Sequence, residues 1–383
     1  MTSQSFDALI VGGGPAGTAC AWALQRAGLR TAVIDQANFP RDKVCAGWIT
    51  PSVLRDLEIS PQDYGHEHVL QPFTQFRLGL LGKEKAANSN AAHAKVQPRT
   101  SVVRYPETVS YGIRRREFDN YLLQRSKATL ITGEHVQDIH RDSGGWLINA
   151  RWRAPMLVGA GGHTCPVARI LGARPGDESV VIARELEVRL SDAAWKNCRL
   201  QGERPELYFC HDLAGYAWSI RKGDYLNIGL GRTDRHGLAT HVDHFLHFLR
   251  EQRGVPKLAE PMHGHAYLLS SQSRRTRMAN GVLPAGDAAG LAYPQSGEGI
   301  RPAVTSGLLA AQIIVEARRD YRPQRLAPYL ERLDASFPAP TKLSDRVGAI
   351  LPEWLRGLLG RQLFRLPQLA RRIVLDHGFL QAH

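Results

Sequence analysis

The chain has 383 residues, of which 43% are hydrophobic and 22% charged, a composition typical of a soluble protein with two domains or one large two-lobed unit. It shows neither an apolar run of the ~18 residues that a membrane span requires nor a secretion signal, so we expect a cytoplasmic location. The five cysteines contain no Cys-x-x-Cys pair, and the net charge of +13 accompanies no helix-turn-helix or zinc-finger signature, so we expect no metal and no nucleic acid as partners.

A strand, a glycine-rich turn and a helix are predicted one after another near the N-terminus. Residues 7–11 form an apolar strand pattern, 12–17 read Gly-Gly-Gly-Pro-Ala-Gly, and an alanine-rich stretch continues to about residue 27. In this spacing the first glycine permits the turn, the second lets the backbone approach a pyrophosphate, and the third lets the helix pack on the strand. A second predicted strand, 31–35, ends in Asp35, at the distance expected for a carboxylate that binds ribose hydroxyls. The pattern predicts a dinucleotide site.

The next predicted elements are more irregular. Residues 38–48 carry too many turn formers and charges for a core element, which indicates a loop at the site. A helix ending near residue 125 is predicted next, then strands at 129–132 and 134–139, and another strand followed by glycines at 155–162. Residues 71–95 are loosely patterned, and 86–94 indicate a surface loop.

A β-rich second lobe is predicted from residue 180 to 271, with strands at 181–190, 206–210, 216–221, 225–231 and 266–269. The only helix predicted in this lobe, 241–253, places Val242, Phe245, Leu246 and Leu249 on one face, so it should cover the sheet. Histidines 241, 244 and 247 follow that helix in three-residue steps, but no Asp or Cys completes a ligand set, so we predict solvated side chains.

Residues 281–300 predict a short buried strand, an acidic turn at Gly286-Asp287 and a long helix that starts at 297 with Gly-Glu-Gly-Ile. A carboxylate held in a turn can accept hydrogen bonds from a polyol. Glycines at a helix start let backbone N–H groups approach a flat, electron-rich ring. This combination suits a flavin, and together with the N-terminal motif it indicates one dinucleotide.

These motifs, with Phe39-Pro-Arg-Asp-Lys-Val-Cys45 and Gly215-Tyr-Ala-Trp-Ser-Ile220, resemble the geranylgeranyl reductase family of the p-hydroxybenzoate hydroxylase-like flavoproteins. The resemblance implies FAD and an α/β fold. A Rossmann-like FAD-binding domain of the glutathione-reductase type would carry an inserted β-rich substrate domain and a C-terminal helical segment. The expected bounds are 1–70, 111–179 and 272–322 for the FAD domain, 71–110 and 180–271 for the substrate domain, and 323–383 for the C-terminal segment.

The resemblance also implies roles for individual residues. FAD would contact Gly12, Gly14, Pro15, Ala16, Gly17, Asp35, Arg41, Arg115, Gly286, Asp287, Gly297, Gly299 and Ile300. The substrate would lie against Tyr216, Trp218, Ile220, Tyr293 and Pro294, although Ile220-Arg221 replaces the family's Phe-Pro. Cys45 falls where the reductases carry Cys-Gly-Gly near the isoalloxazine and is the candidate acid or reactive thiol, with an ordinary buried cysteine as the alternative. Gly161 replaces an aspartate that the hydroxylases use with NAD(P)H, so the electron donor is left open, and Cys165 is left as a packing residue.

The implied reaction is the reduction of a C=C bond in a hydrophobic, prenyl- or polyketide-like substrate by hydride from reduced flavin N5. The alternatives are a flavin monooxygenase of a hydrophobic aromatic, a halogenase, and a flavin-binding electron carrier. Residues 341–383 repeat apolar clusters among basic residues. This pattern indicates a helical cap on the β-rich lobe, and the alternative is peripheral contact with the inner membrane face.

Overall fold

The fold is taken from a computed structural model of the chain, in which residues 3–82, 100–234, 237–337 and 366–380 are described. The predicted surface loop at 86–94 and most of the predicted C-terminal segment lie outside these ranges. The α-helices are α1 Pro15–Arg26, α2 Pro51–Asp56, α3 Pro61–Glu67, α4 Arg115–Arg125, α5 Pro166–Ile170, α6 Asp192–Asn197, α7 Leu238–Arg253, α8 Ile300–Glu316, α9 Pro323–Leu326, α10 Pro328–Ser336 and α11 Pro367–Ala370, which continues as a π-helix at Arg371–Phe379.

The strands of the first half are β1 Gln4–Ser5, β2 Ala8–Val11, β3 Thr31–Asp35, β4 Trp48–Ile49, β5 Leu70–Phe73, β6 Gln75–Leu80, β7 Thr100–Arg104, β8 Ser110–Ile113, β9 Thr129–Thr132, β10 Ile139–Asp142, β11 Gly145–Ile148, β12 Trp152–Ala154 and β13 Met156–Gly159. Those of the second half are β14 Val181–Arg189, β15 Glu206–Phe209, β16 Gly215–Lys222, β17 Tyr225–Arg232, β18 His263–Tyr267 and β19 Val282–Pro284. Two small sheets, β1-β12-β11-β10 and β4-β8-β5, flank two larger ones.

A parallel sheet in the order β19-β13-β2-β3-β9 forms the first large layer. β2, β13 and β19 are buried along their whole length, as expected for parallel strands that are covered on both faces. α1 and α8 pack against each other very closely: a Cβ added at Gly307 would lie 2.2 Å from the carbonyl oxygen of Ala16. The carboxyl ends of the strands meet at one edge of the sheet, which is where such folds bind ligands.

A mixed sheet in the order β18-β14-β17-β16-β15-β6-β7 forms the second large layer. One face is covered by α7, whose Val242, Phe245 and Leu249 belong to the core beneath it. The opposite face packs Trp218 against the π-helix through Phe379 and its neighbours. The α/β fold class with a Rossmann-like layer and a β-rich insert is confirmed, whereas the domain bounds stay a prediction.

The strand predicted at 134–139 is wrong over most of its length, since β10 begins only at Ile139. The side chain of Asn149 satisfies the backbone here instead of a neighbouring strand. Its Oδ1 accepts from the N–H groups of Gln137 and Asp138 at 2.9 and 3.1 Å, and its Nδ2 donates to the carbonyl of His135 at 2.8 Å. A side chain that bonds to successive backbone groups satisfies their hydrogen bonds, so this segment does not have to pair with a neighbouring strand.

Two further predictions differ from the structure. α7 is not the only helix of the second lobe: α6 begins after Ser191, whose hydroxyl accepts from Ala194 N at 3.3 Å, an N-cap signal that was available in the sequence. α8 begins at Ile300, later than the predicted start at Gly297. The reason is that Gly297 has a φ of +69°, which the right-handed helix does not allow.

Candidate active site

A cavity of about 560 Å³ is lined by the carboxyl-end edge of the parallel sheet and by the mixed sheet. Most of the residues predicted for the site line this cavity: Gly12, Gly14, Pro15, Ala16, Asp35, Arg41, Cys45, Arg115, Tyr216, Trp218, Gly286, Asp287, Gly297, Gly299 and Ile300. The remaining four, which are Gly17, Ile220, Tyr293 and Pro294, are not among the residues that line it. The structure thus brings together segments that are far apart in the sequence.

Three of these four have other surroundings. Gly17 lies beneath the turn, where an added Cβ would be 1.9 Å from the carbonyl oxygen of Gly12, so its position serves the close packing of α1. Ile220 points to the same side of β16 as Trp218, and it is fully buried in the core of that face. Tyr293 contacts the ring of Phe337, with ring centroids 5.9 Å apart.

The glycine turn is fixed by the carboxylate of Asp35. Gly13 N donates to Asp35 Oδ2 at 2.7 Å, and Ala37 N donates to Asp35 Oδ1 at 2.8 Å. Gly14, the N-cap residue of α1, follows at once. The unpaired N–H groups at a helix N-terminus favour an anion, so the turn presents to the cavity a carboxylate that suits a ribose and a helix end that suits a phosphate.

The side chain of Arg41 lies over this turn and has a hydrogen-bond donor that no other described residue uses. A Cβ added at Gly14 would be 3.8 Å from Arg41 Nη2. The buried carboxylate of Asp119 accepts two hydrogen bonds of 2.8 Å from Arg115 and lies 3.2 Å from Arg41 Nη2. Arg41 Nη1 is buried and has no hydrogen-bond partner within the described part of the chain. A partly buried guanidinium with a free donor beside a helix N-terminus fits a pyrophosphate, so these residues suit a dinucleotide such as FAD.

The acidic turn after β19 is held from behind by the buried side chain of Arg275. Its Nη1 donates to the carbonyl oxygens of Asp287 and Ala288 at 3.0 and 3.2 Å, and its Nη2 donates to the carbonyl of His163 at 2.8 Å. Glu178 neutralises it through an Arg275 Nε contact of 2.6 Å. Arg275 donates to the backbone carbonyls of the turn and not to the carboxylate of Asp287. That carboxylate is therefore available to the cavity. Sequence reasoning missed this arginine, since no local pattern marks it.

Two basic side chains from distant segments face Asp287. Lys43 Nζ lies 3.1 Å from His265 Nε2, and that nitrogen is 4.0 Å from Asp287 Oδ2. Desolvation, reinforced by the charge of Arg115, lowers the pKa of Lys43 to about 8. Desolvation, reinforced by Lys43, lowers the pKa of His265 to about 3. At neutral pH the imidazole is therefore uncharged, and the positive charge beside Asp287 is carried by Lys43.

Cys45 is half-buried, lines the cavity and belongs to a loop that is tied to the mixed sheet. Gly47 N donates to its Sγ at 3.4 Å, and Asn227 Nδ2 donates to its carbonyl oxygen at 3.2 Å. Asn227 also connects this loop to Trp218, whose Nε1 donates to Asn227 Oδ1 at 2.8 Å. One buried amide therefore orients the loop that carries the thiol and an aromatic side chain of the wall.

A charged network lies beneath that amide. Asn227 Nδ2 donates to Glu185 Oε1 at 2.7 Å and to Glu187 Oε2 at 3.2 Å. Lys222, whose side chain is 0% exposed, donates to Glu187 Oε2 at 2.8 Å. A Cβ added at Gly47 would lie 2.5 Å from Lys222 Nζ, so this glycine is needed for the loop to approach the network.

The other side of the cavity is aromatic. Trp48 stacks between Phe76 and Phe379, with ring centroids 5.2 and 5.3 Å away, and Tyr216 meets Phe379 edge-on at 5.2 Å. Phe379 comes from the π-helix, so residues 366–380 of the C-terminal segment pack on the β-rich lobe and contribute to the cavity wall. Residues 323–337 of the same segment pack instead on the core of the parallel sheet, through Leu326, Tyr329 and Leu333. Trp48 falls in the loop 38–48 that was predicted at the site, but neither Trp48 nor Phe379 was predicted to line the cavity.

Comparisons with known proteins agree with this geometry. Residues 7–107 match the family described as FAD dependent oxidoreductase. The menaquinone reductase of Mycobacterium tuberculosis is 26% identical over 333 residues, covering 81% of this chain and 77% of the relative. The geranylgeranyl diphosphate reductase of Rhodobacter capsulatus is 26% identical over 339 residues, covering 84% and 78%.

A similar fold occurs in the crystal structure of a geranylgeranyl bacteriochlorophyll reductase-like protein from Thermoplasma acidophilum. Its TM-score is 0.75 at 21% sequence identity, and the match covers 99% of this chain and 97% of that one. The predicted resemblance and the predicted FAD cofactor are confirmed, while the roles of the individual site residues stay predictions. The chain is an FAD-dependent oxidoreductase, and its relatives include a menaquinone reductase and a geranylgeranyl diphosphate reductase.

Proposed function

We propose that the chain uses FAD to reduce C=C bonds in a hydrophobic, prenyl-type substrate. The observation that carries this proposal is that one cavity has two chemically different walls. One is polar and is formed by the glycine turn, Asp35, Arg41 and Asp287; the other is apolar and includes Trp48, Tyr216, Trp218 and Phe379. The names of the relatives, which include a geranylgeranyl diphosphate reductase, support the substrate class.

The polar wall would hold the cofactor. Gly14 and Arg41 suit its pyrophosphate, Asp35 the adenosine ribose, and Asp287 the ribityl chain. Bound FAD would supply hydride after reduction by an external donor. Arg275 would keep the Asp287 turn in place during this exchange, since its guanidinium occupies the carbonyls of the turn.

The apolar wall would hold the substrate and keep water out. Aromatic side chains bury large areas and retain their shape, so they suit a chain without polar groups. Burial holds the pKa of Tyr216 well above its ordinary value, and smaller electrostatic effects of the neighbouring Tyr267, Cys45 and Glu298 act in the same direction. Tyr216 therefore stays protonated at neutral pH, and its hydroxyl donates to the carbonyl of Ser296 at 2.5 Å.

The deciding experiment separates reduction from oxygenation. The FAD-loaded protein is reduced anaerobically with dithionite, freed of excess reductant, and then mixed with geranylgeranyl diphosphate or with oxygen. We expect reoxidation by the prenyl substrate without oxygen, and a product heavier by two hydrogens per reduced bond. A hydroxylated aromatic formed only with oxygen would favour the monooxygenase, and electron transfer to a protein acceptor without either product would favour the carrier. The same assay is applied to Cys45→Ala. An unchanged rate of this variant would show that the thiol takes no part in the reaction.

We also propose a peripheral contact of the C-terminal segment with an anionic membrane surface from the cytoplasmic side. Among the described residues, no helix is both long and apolar enough to span a bilayer. Leu366, Leu369 and Ile373 are 56%, 41% and 50% exposed, next to Arg371 and Arg372, a pattern typical of an interfacial helix. The wild type should float with vesicles that contain phosphatidylglycerol, whereas a variant with serine at all three of these positions should not. Equal flotation of the two proteins would contradict the proposal.

A further inference from the structure

Glu298 occupies an unusual place in the cavity wall. It lies between Gly297 and Gly299, just before α8, and its side chain is part of the lining. Both carboxylate oxygens are shielded from solvent, and within the described residues neither accepts a hydrogen bond of ordinary geometry, while the backbone N–H of Arg301 acts only to lower the pKa of the carboxyl. A buried carboxyl with two unsatisfied oxygens is rare in folded proteins, because an unpaired buried charge costs several kcal/mol. A group kept in such a state is a candidate for a functional role.

The surroundings of Glu298 favour its protonated form. Burial raises its pKa to about 7, and the charge of Arg301 on α8 opposes this effect. The other titratable groups that interact with it are Tyr216 on β16 and Tyr293 in the preceding loop. Both are phenols with pKa values raised by burial, so neither can accept its proton at neutral pH. Glu298 is therefore poised to lose or gain a proton near neutrality, where a general acid works best.

We propose that Glu298 is the catalytic acid that protonates the substrate carbon during C=C reduction. This inference rests on the proposed function. Saturation of a C=C bond breaks its π bond, and one carbon gains a hydride while its neighbour gains a proton. The hydride would come from FAD reduced by an external two-electron donor. The proton would come from the Glu298 carboxyl, which becomes a carboxylate and is restored by a proton from water.

Other acidic groups in the cavity are less suited to this task. His265 has a pKa of about 3 and so carries no spare proton at pH 7. The phenols of Tyr216 and Tyr267 are too weakly acidic, since burial raises both pKa values. Lys43 lies 3.1 Å from His265 and beside Asp287, so it belongs to the polar wall. Glu298 interacts with Tyr216 and so lies nearer to the apolar wall, where the substrate would bind.

The test uses the FAD-loaded full chain as wild type, Glu298→Gln, Glu298→Asp and, as a matched control, Glu251→Gln, which changes an exposed glutamate of α7. Each protein is reduced anaerobically and mixed with geranylgeranyl diphosphate between pH 5.5 and 9, and flavin reoxidation is followed. Infrared difference spectra over the same pH range, taken without substrate, record the C=O band of a protonated carboxyl. FAD affinity is measured by fluorescence.

We expect Glu298→Gln to slow substrate-dependent reoxidation about 100-fold or more, the usual effect of losing a general acid, and to abolish the fall in rate above neutral pH. Glu298→Asp should recover part of the rate, and FAD affinity should change less than threefold. Burial also raises the pKa of Glu185 to about 7, so two carboxyl bands should titrate near neutrality in wild type and Glu251→Gln, and one of them should be missing in Glu298→Gln.

The inference is overturned when the wild type reduces the substrate and Glu298→Gln matches it within threefold, or when Glu298→Gln keeps every carboxyl band that titrates between pH 5.5 and 9 in the wild type. A wild type that reduces no C=C substrate, although its FAD is readily reduced, instead refutes the proposed function. A role of Glu298 in folding alone would appear as loss of FAD in both Glu298 variants, and this result would also overturn the inference.

Discussion

Replacing Lys222 by methionine tests whether the charged network under the Cys45 loop stabilises the fold. The ammonium group is 0% exposed and donates to Glu187 Oε2 at 2.8 Å and to the carbonyl of Ile113 at 2.9 Å. Methionine keeps much of the volume but removes the charge. Glu187 would then keep Arg114, whose Nε donates to its Oε1 at 3.1 Å, and Asn227.

The expected loss is about 3 kcal/mol in the free energy of unfolding at pH 7. Removing one partner of a buried ion pair typically costs about 3–5 kcal/mol, and the lower end applies because Arg114 remains. Burial acts to raise the pKa of Glu187, but Lys222 and Arg114 outweigh it and hold the pKa below its ordinary value. The ionised carboxylate therefore contributes stability above its unfolded pKa, and that contribution is lost as the pH falls. The cost of Lys222→Met should consequently shrink toward pH 4.

The assay is urea unfolding of the single variants Lys222→Met and Glu187→Gln and of the double variant, followed by tryptophan fluorescence at pH 4 and 7. We expect the double variant to be more stable than Lys222→Met, since it lacks the Glu187 charge, which Lys222→Met leaves in place without its closest cation. A cost below 1 kcal/mol for Lys222→Met at pH 7, or a double variant less stable than Lys222→Met, would refute the reasoning.

Three further changes test other parts of the site. Gly17→Ala should purify with at least tenfold less FAD than wild type, measured by flavin absorbance, because the new Cβ would lie 1.9 Å from the carbonyl oxygen of Gly12. Arg41→Ala should raise the FAD dissociation constant by about 10- to 100-fold in a fluorescence titration, as expected for one charge-assisted hydrogen bond of about 1.5–3 kcal/mol. Phe379→Ala should cost about 3 kcal/mol or more in urea unfolding, because its ring is 8% exposed and stacks on Trp48.

Each of these changes has a matched control in the chain. Gly176→Ala adds a Cβ where no atom lies within 4 Å, and normal FAD content in both glycine variants would contradict the packing argument. Arg55→Ala removes a guanidinium that is 76% exposed, and an equal loss of affinity would point to a general charge effect. Leu369→Ala trims a side chain that is 41% exposed, and Phe379→Ala should cost clearly more than it does.

The parts of the fold that the sequence predicts well are those in which local pattern and tertiary context agree. β3 and β9 have the predicted bounds of 31–35 and 129–132, because both are short runs of strand-forming residues between turns. β3 is mostly buried, whereas β9 lies at the edge of the sheet and is partly exposed. The glycine turn and Asp35 are also local, since spacing alone links Gly12 to a strand and a helix. The strand prediction was wrong at 134–138 because the side chain of Asn149, and not a neighbouring strand, accepts the backbone hydrogen bonds there.

The parts of the site that the sequence could not predict are formed by contacts between remote segments. Lys43 meets His265 across 222 positions of the chain, and Arg275 reaches the carbonyl of His163 across 112. No periodicity or motif connects such residues, because their proximity depends on how the two sheets are placed. The aromatic wall has the same origin, since Trp48 and Phe379 come from opposite ends of the chain.

The strand order of the parallel sheet has a consequence for synthesis on the ribosome. β13 pairs with β2 on one side and with β19, residues Val282–Pro284, on the other, so the sheet stays incomplete until most of the chain has been translated. Pairings between such distant strands close late and slowly. A nascent chain that ends before β19 exposes the edge of β13, a surface prone to misassembly. Phe379 joins the cavity wall later still, so the finished cavity, and with it tight retention of FAD, is expected only after Phe379 has been translated and has left the ribosome.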